Sequence, residues 1–358
     1  MSITKLFIQN LRILEQVDIE TSPKLNLIVG KNASGKTSLL EAIYFLSTAR
    51  SFRTRQIGEV LKHNTESMII SAQVKQASGN VIPLGIKRSK QKSLMKANGE
   101  VVERVSELAK FLPVQIIHPE SHQLVIGGPK FRRQFLDWGV FHVERDFYVT
   151  WARYQRALKQ RNSALRQRMK DMEGAWDGEL SQAASRLHGM RMSYLDALRK
   201  ILPKYTQAIM GDQKIEMIYQ PGWDAEETLA TALKGNRVRD WQRGYTTQGP
   251  HRAELVFKVN GYKAQGEISR GQQKMLVSAL RLAQSELYSE LTQLPCVILV
   301  DDLPAELDVQ HRHSLMELLR NMNAQIFVSC VEQDQIDLSA WDDKRMFHVE
   351  HGMLSEIE

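Results

Sequence analysis

Leu25-Asn26-Leu27-Ile28-Val29-Gly30-Lys31-Asn32-Ala33-Ser34-Gly35-Lys36-Thr37-Ser38 decides how the rest of the chain is read. Five residues suited to a buried parallel strand run into a loop bounded by glycines. An apolar helical pattern follows through Leu39, Leu40, Ile43 and Leu46. Strand, loop and helix are the setting that the pattern G-x-x-x-x-G-K-[ST] requires, and the match is complete. Backbone N–H groups of Gly30 to Gly35 and of the helix start, including Ser38, are expected to surround phosphate oxygens. Lys36 supplies a cation toward the β- and γ-phosphates, and Thr37 offers a hydroxyl to Mg²⁺. Ala33 is unusual, because many such loops carry glycine there.

Far along the chain, Cys296-Val297-Ile298-Leu299-Val300 is a second apolar strand ending in Asp301-Asp302. Asp301 is placed to hold Mg²⁺ through water, and Asp302 to orient or deprotonate the attacking water. Ser269-Arg270-Gly271-Gln272-Gln273-Lys274 opens an amphipathic helix with Leu276, Leu280, Ala283 and Leu287 on one face. Gly271 permits close backbone approach, and the helix start favours an anion. Ser269 is assigned as a γ-phosphate donor, although a plain Ser cap would explain Ser269 alone. Asp308 follows Asp301 at the distance of a loop that lies against a partner subunit. The three motifs describe one ATPase head divided between the two ends of the sequence. A signature of this kind reads the ATP of a second head, which implies a homodimer that closes on nucleotide and opens after hydrolysis.

Composition agrees with this. The chain has 358 residues, 42% hydrophobic and 25% charged, as in ordinary globular proteins. Forty-eight Lys and Arg against 41 Asp and Glu give a net charge of +7, which leans toward a polyanionic partner such as DNA. No apolar run is long enough to span a membrane. The N-terminus lacks a signal region. Cys296 and Cys330 show no metal-binding spacing. A cytoplasmic protein with no membrane partner is the expectation.

Between the two halves, from Val125 to Arg243, the pattern becomes helical. Trp151, Leu158, Leu165 and Met172 recur every seven residues, as do Leu180, Leu187, Tyr194 and Ile201. These spacings predict an inserted helix pair, an arm or an ordinary two-helix core. The expected domains are 1–124 (first part of the head), 125–245 (helical arm) and 246–358 (second part of the head). Arg153, Arg156, Lys159, Arg161, Arg166, Arg168 and Lys170 occur with no acid among them. Two readings fit: a solvated helix face, or a DNA phosphate-binding face of sequence-neutral type. Arg50, Arg53 and Arg55 form a second basic group, open to nucleotide, DNA or partner contact. Met68 to Lys75 and Val81 to Lys87 flank a hairpin turn at Ser78-Gly79-Asn80. The segment after Trp341 is expected to be a closing strand pair.

The motifs and their order resemble the ABC-type ATPases of the SMC and Rad50 group, and within it most of all the RecF family of bacterial DNA repair and replication proteins. The resemblance covers nearly the whole chain. It is carried by Leu40-Glu41-Ala42-Ile43-Tyr44, Arg50-Ser51-Phe52-Arg53, Gly128-Pro129-Lys130-Phe131-Arg132-Arg133, Phe135-Leu136-Asp137, Lys159-Gln160-Arg161-Asn162 and Gly249-Pro250-His251-Arg252. The P-loop, signature and Asp301-Asp302 to Asp308 segments complete it. It implies an α/β P-loop ABC-type head, split between N- and C-terminal halves, with an inserted helical arm. It further implies ATP-dependent dimerisation, slow ATP hydrolysis and binding of single-stranded or gapped DNA. A role in loading recombinase with RecR and RecO, and in the SOS response, is implied as well. In related heads a Gln near the end of a strand touches Mg²⁺. Gln115 stands as that candidate, a strand-surface Gln being the other reading. Most ABC-type heads have Glu where this chain has Asp302, so slow turnover is expected. The switch His after the next strand is missing, and Ser329 is the candidate for a weaker contact in its place. A transporter motor subunit would show a Leu-Ser-Gly-Gly-Gln-like signature and a switch His, both absent here. A non-hydrolysing architectural dimer is the second rival.

Overall fold

The computed structural model describes residues 1–169, 174–306 and 308–357, with 305 and 306 through their backbone. Lys170, Met172 and Leu307 therefore lie outside the described residues. The chain divides into two compact units, 1–121 with 274–358, and 122–273.

In the first unit, β1 (Ser2–Leu11) and β2 (Leu14–Glu20) form a hairpin, and β3 (Leu25–Val29) leads through the P-loop into α1 (Lys36–Thr48). Then come β4 (Ser67–Lys75), β5 (Val81–Ser89), β6 (Ser93–Ala97), β7 (Glu100–Val102), α2 (Val105–Phe111) and β8 (Val114–Ile117). The expected hairpin is present: β4 and β5 pair antiparallel from Ser67↔Ser89 to Lys75↔Val81.

The second unit contains α3 (Gln123–Ile126), α4 (Pro129–Val143), α5 (Phe147–Arg166), α6 (Asp177–Met210), β9 (Ile215–Gln220), α7 (Leu229–Gly235) and α8 (Arg237–Arg243). It continues with β10 (Glu254–Val259), β11 (Tyr262–Lys263) and α9 (Ala264–Glu267). The return to the head, expected at residue 246, comes after Gln273. The reason is strand pairing: β10 lies antiparallel to β9 from Glu254↔Gln220 to Val259↔Ile215 and is held in the insert. The chain then re-enters the first unit along α10 (Arg270–Thr292), followed by β12 (Cys296–Val300), α11 (Leu303–Glu306), α12 (Val309–Arg320), β13 (Ala324–Cys330), β14 (Lys344–Glu350) and β15 (Met353–Ile357). The last two are the closing pair.

Two sheets organise the first unit. One has the order β15-β14-β3-β13-β12-β8. Its β14, β3, β13, β12 and β8 run parallel. Every residue of β3, β12, β13 and β8 is buried, as expected for parallel strands covered on both faces. The other sheet, β2-β1-β4-β5-β6-β7, is antiparallel. Its alternating burial turns one face to a core that includes Leu39, Leu40, Ile43 and Leu46 of α1 and the other to solvent. In the second unit α5 and α6 pack along each other. The predicted stripe of α6 is close: Leu180, Leu187 and Tyr194 are buried, with Ile201 partly so. On α5 Leu158 and Leu165 are buried but Trp151 is 37% exposed. Thr150, Tyr154, Ala157 and Arg161 fill the inner face beside them, because the period of a straight helix drifts from seven.

Candidate functional site: a P-loop joined to a carboxylate pair

The parallel sheet sets the site. Val29 pairs with Cys330, and Val300 pairs with Val328, so β3, β13 and β12 end together. Everything leaving those ends is concentrated at one edge. The P-loop leaves β3 and Asp301 leaves β12, with Ser329 between them on β13.

Gly30 adopts φ +159, and a Cβ there would lie 2.3 Å from the Val349 carbonyl and 2.8 Å from Ser34 Oγ. Only glycine fits. The loop curls over Lys36, whose Nζ donates to the carbonyls of Gly30 at 2.5 Å and Lys31 at 3.0 Å. Burial lowers the pKa of Lys36, while Asp302, Cys330 and Asp301 pull it back up. Helix α1 starts at Lys36 with no side-chain cap on its N-terminus, leaving first-turn N–H groups for an anion. Ser34 Oγ is buried with no hydrogen-bond partner. An orphaned hydroxyl, uncapped N–H groups and the Lys36 side chain form a donor set that fits nucleotide phosphates. Ala33 sits at φ 64, the left-handed region that glycine occupies freely and alanine only with strain.

Thr37 closes the gap to the second half of the chain. Its Oγ1 lies 2.9 Å from Oδ1 and 3.1 Å from Oδ2 of Asp301. A hydroxyl and a carboxylate side by side are oxygen donors suited to Mg²⁺. Burial raises the pKa of Asp301. Hydrogen bonds from Ser329 and Thr37 oppose that, and the Asp302 charge adds to it. Asp302 has φ 54, and its N–H donates to Ser329 Oγ at 2.8 Å. The Ser329 hydroxyl in turn donates to Asp301 Oδ1 at 2.8 Å. Ser329 thus fixes the carboxylate pair. Its hydroxyl is engaged on both sides, by the Asp301 carboxylate and the Asp302 N–H, so the expectation that it contacts phosphate in place of a switch His is corrected. The Asp302 carboxylate makes no hydrogen bond among the described residues, which suits a proton acceptor.

Gln115 does not belong to this cluster. It pairs with Ile298, three residues short of Asp301 and about 10 Å back along the strand. Its side chain donates to Gln284 at 2.7 Å and accepts from Arg281 at 2.9 Å. Its assignment as a Mg²⁺ ligand is corrected: the second reading of a sheet Gln holds, buried against α10.

At the start of α10, Ser269 Oγ accepts from the Gln272 N–H at 3.2 Å, and Gln272 Oε1 accepts from the Ser269 N–H at 2.9 Å. This is a reciprocal capping box. It explains the Gln of the signature, which a lone Ser cap did not. Asp308 caps α12, accepting from the His311 N–H at 3.0 Å and pairing with its ring at 2.7 Å. Both Ser269 and Asp308 remain exposed.

The cations of α5 have separate fates. Arg161 is wholly buried, 2.8 Å from Asp177 and 2.7 Å from Asp240, and donates to Thr246 at 2.9 Å. It is a structural residue, and its assignment to DNA contact is corrected. Arg153 pairs with Glu179 at 2.8 Å. Arg168 lies over the Trp241 ring at 5.4 Å. Arg156, Lys159 and Arg166 are exposed. Arg53 lies 3.6 Å from buried Glu41. Glu41 also takes a two-pronged bond from Arg12, at 2.8 and 2.9 Å, and one from Ser51. Arg12 gave no motif signal; its place in a tight turn between two strands was the available hint.

A parallel sheet that joins a P-loop to a terminal carboxylate pair, with both chain ends building the head, defines an SMC-type P-loop ATPase. The sequence family described as the RecF/RecN/SMC N terminal domain matches residues 2–355. Proteins named DNA replication and repair protein RecF are 43% identical in Thioalkalivibrio sulfidiphilus, over 99% of both chains. In Cellvibrio japonicus the figure is 44%, again over 99% of both. A solved structure described as the recombination mediator protein RecF with ATP in the RecFOR pathway superposes with a TM-score of 0.89. It has 25% identity and covers 100% of this chain and 98% of that one. An Smc head bound to the C-winged helix domain of ScpA gives 0.61 at 13% identity, over 100% of this chain and 98% of that one, a likeness of fold alone. The chain belongs to the RecF/RecN/SMC family, among its RecF proteins. Among the described residues no helix is long and apolar enough to cross a membrane.

Proposed function

We propose that this chain is an ATP-driven, DNA-binding dimer of DNA replication and recombinational repair, acting in the cytoplasm as a slow ATPase. The contact of Thr37 with Asp301 carries the reading, because it joins the two halves of a nucleotide site across 264 positions of sequence. Lys36 exchanges its carbonyl partners for phosphate oxygens. Ser34 and the first turn of α1 donate to the same phosphates. Thr37 and Asp301, the latter through water, are the residues that would hold Mg²⁺; when bound, that ion neutralises charge on the β- and γ-phosphates. Asp302 orients the attacking water and accepts its proton. Its carboxylate is one methylene shorter than the Glu of most such heads, which supports slow turnover.

Ser269, Gly271 and Gln272 are exposed or nearly so at the start of α10, and we assign them, with Asp308, to the nucleotide of a second copy. Closure on ATP and opening after hydrolysis then form a population shift driven by nucleotide. The relatives' name and the RecFOR pathway support a role in recombinase loading at gapped or single-stranded DNA with RecO and RecR, and in the SOS response. Sedimentation and DNA binding on the same samples test the reading, without nucleotide, with ATP, and with Ser269→Arg. ATP-dependent dimerisation and tighter DNA binding, both lost in the variant, are the expected result. A protein that stays monomeric with ATP would overturn the assignment of Ser269.

A further inference from the structure

The densest group of unengaged cations in the described residues that we find lies on the antiparallel sheet of the head, on the hairpin of β5 and β6. Lys87, Arg88, Lys90, Lys92 and Lys96 stand there with no acid between them. The nearest acid in sequence is Glu100, on the neighbouring strand. Lys87, Lys90, Lys92 and Lys96 are exposed and Arg88 is half-buried. None makes an ion pair, hydrogen bond or ring contact with its side chain among the described residues.

Register brings Lys87 and Lys96 to one face, while Arg88, opposite buried Met68, lies on the parity of Leu84 and Ile86 and reaches the tip from the other face. Leu84, Ile86, Met95 and Ala97 face the core, so Lys87 and Lys96 face solvent on alternate positions. Gly85 pairs with Lys96, and Lys87 with Leu94, so the two lysines lie two rungs apart, diagonal neighbours on one face. The tip is held without using any cation. Ser89 Oγ accepts from the Lys92 N–H at 3.0 Å and the Gln91 N–H at 3.3 Å. The Ser89 N–H donates to the Lys92 carbonyl at 2.9 Å. A rigid turn thus presents flexible cations. From Gly85 to Ser89 the strip runs ~13 Å, a length over which duplex DNA carries about eight phosphates.

We infer that this hairpin is a phosphate-backbone contact of the head for DNA. The inference rests on the DNA-binding reading above. Helix α5 is the rival surface, and it is sparser: Arg156, Lys159 and Arg166 are its exposed cations without partners, over about 15 Å of helix. Long lysines with one arginine, and no exposed aromatic ring in Lys87–Lys96, suit sequence-neutral contact to phosphates. Each phosphate neutralised adds about 0.9 to the slope of log affinity against log salt.

The test is equilibrium binding of a short mixed-sequence DNA duplex across a salt series, with and without ATP. It compares the full chain with a variant carrying Lys87→Gln, Arg88→Gln, Lys90→Gln, Lys92→Gln and Lys96→Gln, and with an Arg156→Gln, Lys159→Gln, Arg166→Gln variant. The hairpin variant should bind about tenfold or more weakly, with a salt slope shallower by ~3–4. Its thermal midpoint and ATP turnover without DNA should be unchanged. If that variant keeps the parent's slope, the inference is overturned while the DNA-binding reading stands, and an acidic protein surface becomes the hairpin's partner. If the parent chain binds no DNA in either nucleotide state, whether duplex, gapped or single-stranded, the reading and the inference fall together.

Discussion

The Thr37 hydroxyl and the Asp301 carboxylate meet at 2.9 Å, one from each end of the chain, and Ser329 holds Asp301 from the other side at 2.8 Å. Ser329→Ala removes that bond and leaves the Asp302 N–H without its acceptor. A net cost of about 1–3 kcal/mol is expected, with ATP turnover reduced and ATP binding largely kept. Turnover and nucleotide affinity, measured separately, check this; equal loss of both would contradict it.

Ala33 holds φ 64 inside the P-loop. Ala33→Gly relieves left-handed strain and should stabilise the protein by about 1 kcal/mol, offset in part by the freedom glycine adds to the unfolded chain. Nucleotide affinity should hold or rise. Denaturant unfolding without nucleotide reads the effect, and a less stable variant would show that the loop relaxes around alanine.

The box between Ser269 and Gln272 separates two roles. Gln272→Glu can still accept from the Ser269 N–H, whereas Gln272→Ala cannot. Thermal stability should fall with Ala and recover with Glu. ATP-dependent dimerisation should fail in both, because Glu has no amide to donate and repels phosphate. Recovery of dimerisation with Glu would reduce Gln272 to a cap.

His251 gives the expected pH dependence. Burial pushes its pKa from 6.5 down to about 4. Its ring lies between Tyr154 OH at 2.6 Å and the Thr246 carbonyl at 3.0 Å. Because the unfolded chain takes up the proton first, stability is full above pH ~6.5. It falls as pH drops toward about 4 and then levels, by an amount of order 3 kcal/mol. His251→Gln should flatten that part of the pH profile in denaturant unfolding; an unchanged slope would assign it to other groups.

Arg161 and Asp240 are both completely buried. Arg161→Ala strands the Asp240 charge and should cost about 3–5 kcal/mol. DNA affinity of the folded fraction should be unchanged, since the side chain never meets solvent. A salt slope altered without loss of stability would contradict this.

These residues also mark how far sequence carried. Strands β3 and β12 and helix α1 were legible because each is an apolar run beside a motif with strict local geometry. The seam of α6 was legible from its period. Arg161 was misread because its partners, Asp177 and Asp240, come from other elements, and a basic run looks solvated until folding brings acids to it. Gln115 was misplaced because strand register, not distance along the chain from a motif, decides whether it reaches Asp301. The insert's true end was hidden because pairing of β10 with β9 joins segments separated by two helices. The cations from Lys87 to Lys96 are visible in the sequence but run across β5, a turn and β6, and only register shows which of them share a face.

The most direct test of the account is the fate of ATP in Asp302→Asn. The parent chain should form a dimer with ATP, release phosphate slowly and return to monomer. The variant should bind ATP, release almost no phosphate and remain a closed dimer, read by sedimentation together with retention of labelled nucleotide. Phosphate release at the parent rate from Asp302→Asn would contradict the assignment of Asp302 and the hydrolysis-driven opening that depends on it.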